Sequence, residues 1–130
     1  MTSDLDLIVA LDEENITNII TCFNTQQFTP SLPVDPHQLA NPKVRDSWVT
    51  SKNMVAFPFR HSEKSYIVVD ILIDSPIPFD TLYKNKHTVN SQTTHIDVVS
   101  LDDLISLKKH SNRKQDQCDI ESLQKIKGTS

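Results

Sequence analysis

The sequence contains almost no glycine: among its 130 residues, Gly128 is the only one. Phosphate-binding loops of the Walker and dinucleotide types need several closely spaced glycines, because the backbone must approach the phosphates closely. The chain therefore contains no loop of either type. A phosphorylated ligand would have to be held in another way, by side chains or by a metal ion.

Cysteines and long apolar runs are also scarce. The only cysteines are Cys22 and Cys118, and their spacing fits neither a zinc site nor a disulfide framework, so we expect buried structural thiols in a reducing compartment. No apolar run approaches the ~20 residues of a transmembrane helix, and the acidic N-terminal residues are unlike a secretory leader. These features predict a soluble, cytoplasmic protein without a membrane partner.

Charge and length narrow the possibilities further. The chain has 13 basic and 17 acidic residues, for a net charge of -4, which disfavours a protein whose whole surface grips nucleic acid but leaves room for a local basic patch. Its length predicts a single domain over residues 1–130 with one core.

The first half of the chain shows clear periodic segments. Apolar residues at helical spacing predict a helix over residues 13–25, capped by Asp12. The proline-rich residues 29–42 predict a surface connection with a short helical turn near His37 to Ala40. Residues 54–59 and 66–74 predict two strands paired as a hairpin. Pro58 is expected at a sheet edge or a bulge, because proline cannot donate to a ladder.

The second half predicts a further strand or hairpin over residues 88–99, followed by two helices. Ser100 and Asp103 form a capping-box-like start to the first of these helices. Its apolar stripe leads to Lys108, which either extends along the surface to the rim or points its ammonium into a cleft. The second helix begins near Lys114.

Two acidic residues stand in the first predicted strand, where charge is unexpected. Asp4 and Asp6 alternate with Leu5 and Leu7, so the two carboxylates share one face, roughly 7 Å apart along the backbone. Such a pair suits Mg2+, which binds carboxylates together with substrate phosphates. The competing interpretation is a pair of solvated acids at a strand end.

A third carboxylate, Asp70, lies in the middle of an apolar strand. An unpaired ionised carboxylate is costly to bury, so Asp70 needs a metal, a cation or a water-filled cleft beside it. A structural salt bridge and a metal site account equally well for a carboxylate at this position.

These segments, in this order, resemble the small bacterial nucleotidyltransferase-like proteins of the DNA polymerase β superfamily, including the abortive-infection toxin type. Residues 2–7 are similar to that family's Thr-x-Asp-x-Asp-Leu strand, and Asp70 resembles its third carboxylate. Residues 100–108 and 113–120 are similar to its Ser-Leu-x-x-Leu-x-x-x-Lys and Arg-x-x-Asp-x-x-Asp-Ile ending.

The resemblance implies an α+β fold with a mixed β-sheet flanked by helices. It implies that Asp4, Asp6 and Asp70 surround two Mg2+ ions and act in nucleotidyl transfer from a nucleoside triphosphate to an RNA, protein or small-molecule hydroxyl. It further implies phosphate or acceptor contacts, and these would come from Lys108, Arg113, Asp116 and Asp119. When no nucleotide is bound, Lys108 is expected to pair with Asp116 or Asp119.

The chain also departs from the family. The family places a helix and a Gly-Gly or Gly-Ser loop ahead of the Asp-x-Asp strand, and this sequence begins with the strand. The departure predicts an N-terminally truncated domain, exposed apolar surface and a homodimer with contacts near the first strand and helix 13–25. Two functions therefore stay open: an active nucleotidyltransferase, with a toxin-type enzyme as one form, and a catalytically inactive binding or interaction module.

Overall fold

The protein is described from a computed structural model, which describes the backbone of residues 3–111, 121 and 124–125 and the side chains of residues 5–110, 121, 124 and 125. The chain divides into two compact units, Met1–Asp74 and Ser75–Ser130. The expectation of a single domain over residues 1–130 stays a prediction.

In its described residues, the first unit contains one sheet of four strands in the order β1-β4-β3-β2. β1 runs parallel to β4, and the other neighbouring pairs are antiparallel. The sheet is therefore mixed, and the predicted α+β class is confirmed. The elements in chain order are β1 Ser3–Leu7, α1 Glu13–Thr25, β2 Phe28–Pro30, a 3-10 helix Pro36–Ala40, α2 Pro42–Lys52, β3 Ala56–His61 and β4 Ile67–Leu72.

Helix α1 has the predicted bounds, because its signals are local. The Asp12 carboxylate accepts a hydrogen bond of 2.8 Å from the backbone N–H of Asn15, which satisfies one of the donors that a helix start leaves open. Ile16 and Ile20, one turn apart, are buried in the core.

The expectation of a buried thiol is wrong for Cys22, which is exposed. Each residue advances about 100° around a helix, so Cys22 lies about 200° from Ile20 and on the side away from the core. Cys118 lies outside the described residues.

The connection after α1 is more structured than predicted. The expected helical turn is present as the 3-10 helix Pro36–Ala40, but its Leu39 is completely buried and belongs to the core. Helix α2 follows directly. Its N-cap Asn41 accepts from the backbone N–H groups of Lys43 and Val44, and Pro42 stands in the first turn, where its missing N–H costs nothing.

Strands β3 and β4 form the predicted antiparallel hairpin. β3 is an interior strand and its register with β4 is uninterrupted from Ala56 to Arg60, so the expectation of an edge or a bulge at Pro58 is wrong. Pro58 lies opposite Ser31, just past the end of β2, and its carbonyl accepts from the Ser31 N–H at 3.0 Å. Pro58, which has no backbone N–H to donate, therefore stands at the end of the β2–β3 ladder, where its absence costs only one hydrogen bond.

The core of the first unit lies on one face of the sheet. The Phe57 ring packs in a tilted orientation against Trp48 and Phe59, with ring centroids 5.5 and 5.3 Å away. The helices close over this face, so alternate residues of β3 and β4 are buried. The buried residues of this cluster are Ile16, Ile20, Leu39, Trp48, Phe57, Phe59, Ile71 and Ile73.

In the second unit, the described elements are α3 Phe79–Lys84, β5 His87–Asn90, β6 His95–Val98 and α4 Leu101–Ser111. β5 and β6 pair as an antiparallel hairpin, as predicted over residues 88–99. The Ser100 hydroxyl accepts from the Asp103 N–H at 3.2 Å, which confirms the predicted helix start. The expected second helix, from near Lys114, falls largely outside the described residues. Within the described ranges, no helix is long and apolar enough to span a bilayer.

Candidate functional site

Asp6 and Asp70 lie opposite each other on adjacent parallel strands. In the ladder between β1 and β4, the Cα of Asp6 is paired with the Cα of Asp70. Directly opposite residues in a parallel ladder project from the same face, and neighbouring strands are about 4.8 Å apart. The register therefore brings these two predicted site residues together as an acidic pair.

The acidic pair lies on the face of the sheet opposite the core. Val69 and Ile71, which flank Asp70, are buried, and strand alternation places Asp70 on the other side. Asp6 is exposed and Asp70 is half-buried. Both positions are therefore accessible to water and to a ligand.

This arrangement fits a divalent cation. Like charges directly opposite each other destabilise a sheet, and a cation between the two carboxylates would remove that repulsion. Asp70 already takes part in a polar or electrostatic interaction. Mg2+ needs only one or two protein carboxylates, because water and substrate phosphates complete its octahedron. Among the described side chains, no three His, Cys, Asp or Glu residues gather into a metal-binding group.

Asp4 is the third predicted metal ligand. It belongs to β1, two residues before Asp6, and its Cα is paired with that of Val68. The side chain of Asp4 lies outside the described part of the chain. Coordination of metal by Asp4, Asp6 and Asp70 together therefore stays a prediction.

Sequence reasoning missed Arg60, which occupies the same face of the sheet. In the β3–β4 ladder, Pro58 is paired with Asp70 and Arg60 with Val68, so Arg60 is the diagonal neighbour of Asp70. It is the only lysine or arginine in the four strands of this sheet. Its guanidinium Nη1 donates to the carbonyl of Ser65 in the hairpin turn. A lone cation two residues after Pro58 was visible in the sequence, but its relation to Asp70 depends on the strand register.

The remaining predicted site residues belong to the second unit. Lys108 is half-buried on α4 and continues the stripe that contains the buried Ile105. Arg113, Asp116 and Asp119 lie outside the described residues. The expected role of Lys108 beside a phosphate and its pairing with Asp116 or Asp119 stay predictions.

A separate open cleft of about 380 Å³ lies on the helix side of the first unit, lined by Glu13, Thr17, His37, Ala40, Asn41 and Pro42. At its border, the Asp35 carboxylate accepts from the backbone N–H of His37 at 3.0 Å and from its ring Nδ1 at 2.9 Å. Both hydrogen bonds lower the pKa of Asp35, and the one from the backbone N–H has the larger effect. The same bonds start the 3-10 helix, so a structural role accounts for this pair.

Comparisons with protein-family models, curated proteins and solved structures gave no match to this chain.

Proposed function

We propose that the chain is a nucleotidyltransferase-like domain that transfers a nucleotidyl group from a nucleoside triphosphate to a hydroxyl group. The observation that carries this proposal is the pairing of Asp6 with Asp70 on neighbouring parallel strands. Two carboxylates at one level of a sheet form the kind of oxygen ligand set that phosphoryl-transfer enzymes present to magnesium.

In this proposal, Asp4, Asp6 and Asp70 hold magnesium. The bound metal would neutralise charge on the phosphates and on the departing pyrophosphate. The acceptor hydroxyl oxygen forms a bond to the α-phosphorus, while the bond from that phosphorus to the bridging oxygen of the pyrophosphate breaks. Asp70 takes the proton that the hydroxyl loses. Lys108 steadies the phosphates, and Arg113, Asp116 and Asp119 orient Lys108 or contact the acceptor.

The acceptor class follows from the resemblance alone: an RNA, protein or small-molecule hydroxyl, with a toxin-type enzyme as one form of the proposal. The second candidate is a catalytically inactive module that binds nucleotide or a partner. The composition favours this alternative, because a sequence with Gly128 as its only glycine contains no glycine-rich loop to clasp a triphosphate.

Amide NMR spectra recorded with Mg2+ and each nucleoside triphosphate in turn would test the proposal. We expect shifts at Asp6, Asp70 and their strand neighbours, and their loss in an Asp6→Asn variant. Asp46→Asn, on the exposed side of α2, is the matched control. Transfer of label from an α-labelled triphosphate to RNA or protein would favour the enzyme, and shifts without transfer would favour the inactive module. A spectrum unchanged by Mg2+ and every triphosphate would contradict both nucleotide-binding functions.

A further inference from the structure

We propose that Arg60 binds the β- and γ-phosphates of the nucleoside triphosphate, the part that leaves as pyrophosphate. This inference rests on the proposed function, because it places the reacting α-phosphate beside Asp6 and Asp70. It is carried by the juxtaposition of one arginine with the acidic pair on the same face of the sheet.

The register fixes the relevant separation. Arg60 lies one strand away from Asp70 and two residues further along, because Pro58 is paired with Asp70. Diagonal neighbours of this kind are about 7–8 Å apart, within reach of a long side chain. A triphosphate whose first phosphate lies at the acidic pair can therefore extend its distal phosphates towards Arg60.

The positive charge of Arg60 suits the binding of phosphates on this face of the sheet. A triphosphate approaches a face that carries Asp6 and Asp70, and its distal phosphates need a positive group to offset that repulsion. Arg60 is the only lysine or arginine of the sheet. Its planar guanidinium can form two parallel hydrogen bonds to a phosphate, which a lysine cannot do.

The Arg60 guanidinium is also restrained by a hydrogen bond before any ligand binds. Its Nη1 donates to the Ser65 carbonyl, which uses one of its five N–H donors and leaves its charge intact, because the carbonyl is neutral. Arg60 is exposed, so a phosphate can reach it. An arginine restrained in this way loses less side-chain entropy when it binds a ligand.

The test uses inorganic triphosphate, which carries no base or sugar, with saturating Mg2+. We expect Arg60→Gln to weaken its binding, measured by calorimetry, about 10- to 100-fold, the loss of a charge-assisted hydrogen bond. The matched control is Lys64→Gln, which removes an exposed cation from the same hairpin turn and is expected to change the affinity less than twofold. A nucleoside monophosphate lacks the distal phosphates, so Arg60→Gln should leave its affinity unchanged.

The outcomes separate this inference from the proposed function. If the unmodified chain does not bind Mg2+-triphosphate, whether or not it binds Mg2+ alone, the proposed function is wrong and this inference is wrong with it. If the unmodified chain binds Mg2+-triphosphate and Arg60→Gln binds it equally well, only the role of Arg60 is wrong. Equal losses for triphosphate and monophosphate would show that Arg60 merely supports the hairpin turn. Should Arg60→Gln fail to fold, Arg60→Lys is the second variant, because it keeps the charge. It is expected to lose affinity for triphosphate but not for monophosphate. An unchanged triphosphate affinity in Arg60→Lys would overturn the inference.

Discussion

Asp6 on β1 is the direct parallel-ladder partner of Asp70 on β4. The same register pairs the half-buried Leu7 with the buried Ile71, so the next residue pair is apolar. Two acids directly opposite each other are unfavourable, since like charges at opposite positions destabilise a sheet. A pair that lowers stability and lies at the surface is a candidate for ligand binding.

The first prediction concerns this electrostatic cost. Without divalent metal, Asp6→Asn should raise the melting temperature by a few degrees, because it removes the repulsion with Asp70. With Mg2+ at 100 times its dissociation constant, the unmodified chain should gain about 2.7 kcal/mol of stability, and Asp6→Asn should gain far less. Thermal melts with and without Mg2+ measure both effects. Asp46→Asn, as control, should respond to Mg2+ like the unmodified chain, and an equal Mg2+ response in Asp6→Asn would contradict the prediction.

A second prediction follows from the cap of α1. Asp12→Ala should lower the free energy of unfolding by about 1 kcal/mol, because the Asn15 N–H loses its acceptor at 2.8 Å. Asp12→Asn should retain most of the stability, since an amide oxygen can accept the same bond. Urea denaturation of the two variants measures the difference. Equal losses in both would show that the carboxylate charge, rather than the hydrogen bond, stabilises the helix start.

Much of the fold could be predicted because its signals are local. Asp12 and the spacing of Ile16 and Ile20 define α1 within the sequence itself, and Ser100 does the same for α4. The sequence does not predict helix α2, because Pro42 ends a proline-rich stretch that is typical of a surface connection, although proline is favoured in a first helical turn. The apolar residues of α2 are also few, with Trp48 as its buried residue.

The site was less accessible to sequence reasoning, because it depends on strand register. Alternation within β1 could be predicted from Asp4 to Leu7, but nothing local determines which residue of β4 lies opposite Asp6. Arg60 was missed for the same reason. Its position relative to Asp70 follows from the register of the β3–β4 ladder, and its position relative to Asp6 also requires the register of the β1–β4 ladder.

The third prediction concerns the pKa of Asp35. A backbone and a ring hydrogen bond from His37 lower this pKa, so their contribution to stability is present above the unfolded pKa of about 3.9 and is lost as the pH falls through the lower folded value. His37→Ala removes the ring bond but keeps the backbone bond. It should therefore raise the pKa only part of the way to its ordinary value.

Carboxyl-detected NMR titration would measure this pKa in each variant. His87→Ala, in the exposed strand β5, should leave the Asp35 titration unchanged. A titration curve for Asp35 that is identical in His37→Ala and the unmodified chain would show that the imidazole does not interact with the carboxylate in solution.

The last prediction is the homodimer. Leu5 on β1 is 56% exposed although its ladder partner Val69 is buried, and exposed apolar side chains of this kind are often covered by association. The expected dimer contacts lie near β1 and α1. Leu5→Lys should therefore convert the dimer to a monomer, because burying an ammonium at a two-fold interface is costly.

Ile96→Lys is the matched control. Ile96 is 60% exposed but lies in the β5–β6 hairpin of the second unit, so this variant should stay dimeric. Sedimentation velocity over a range of concentrations would measure both. Dissociation by Ile96→Lys alone would move the interface to the hairpin, whose exposed residues Val89 and Val98 flank Ile96 on one face. An unmodified chain that sediments as a monomer at high concentration would contradict the homodimer itself.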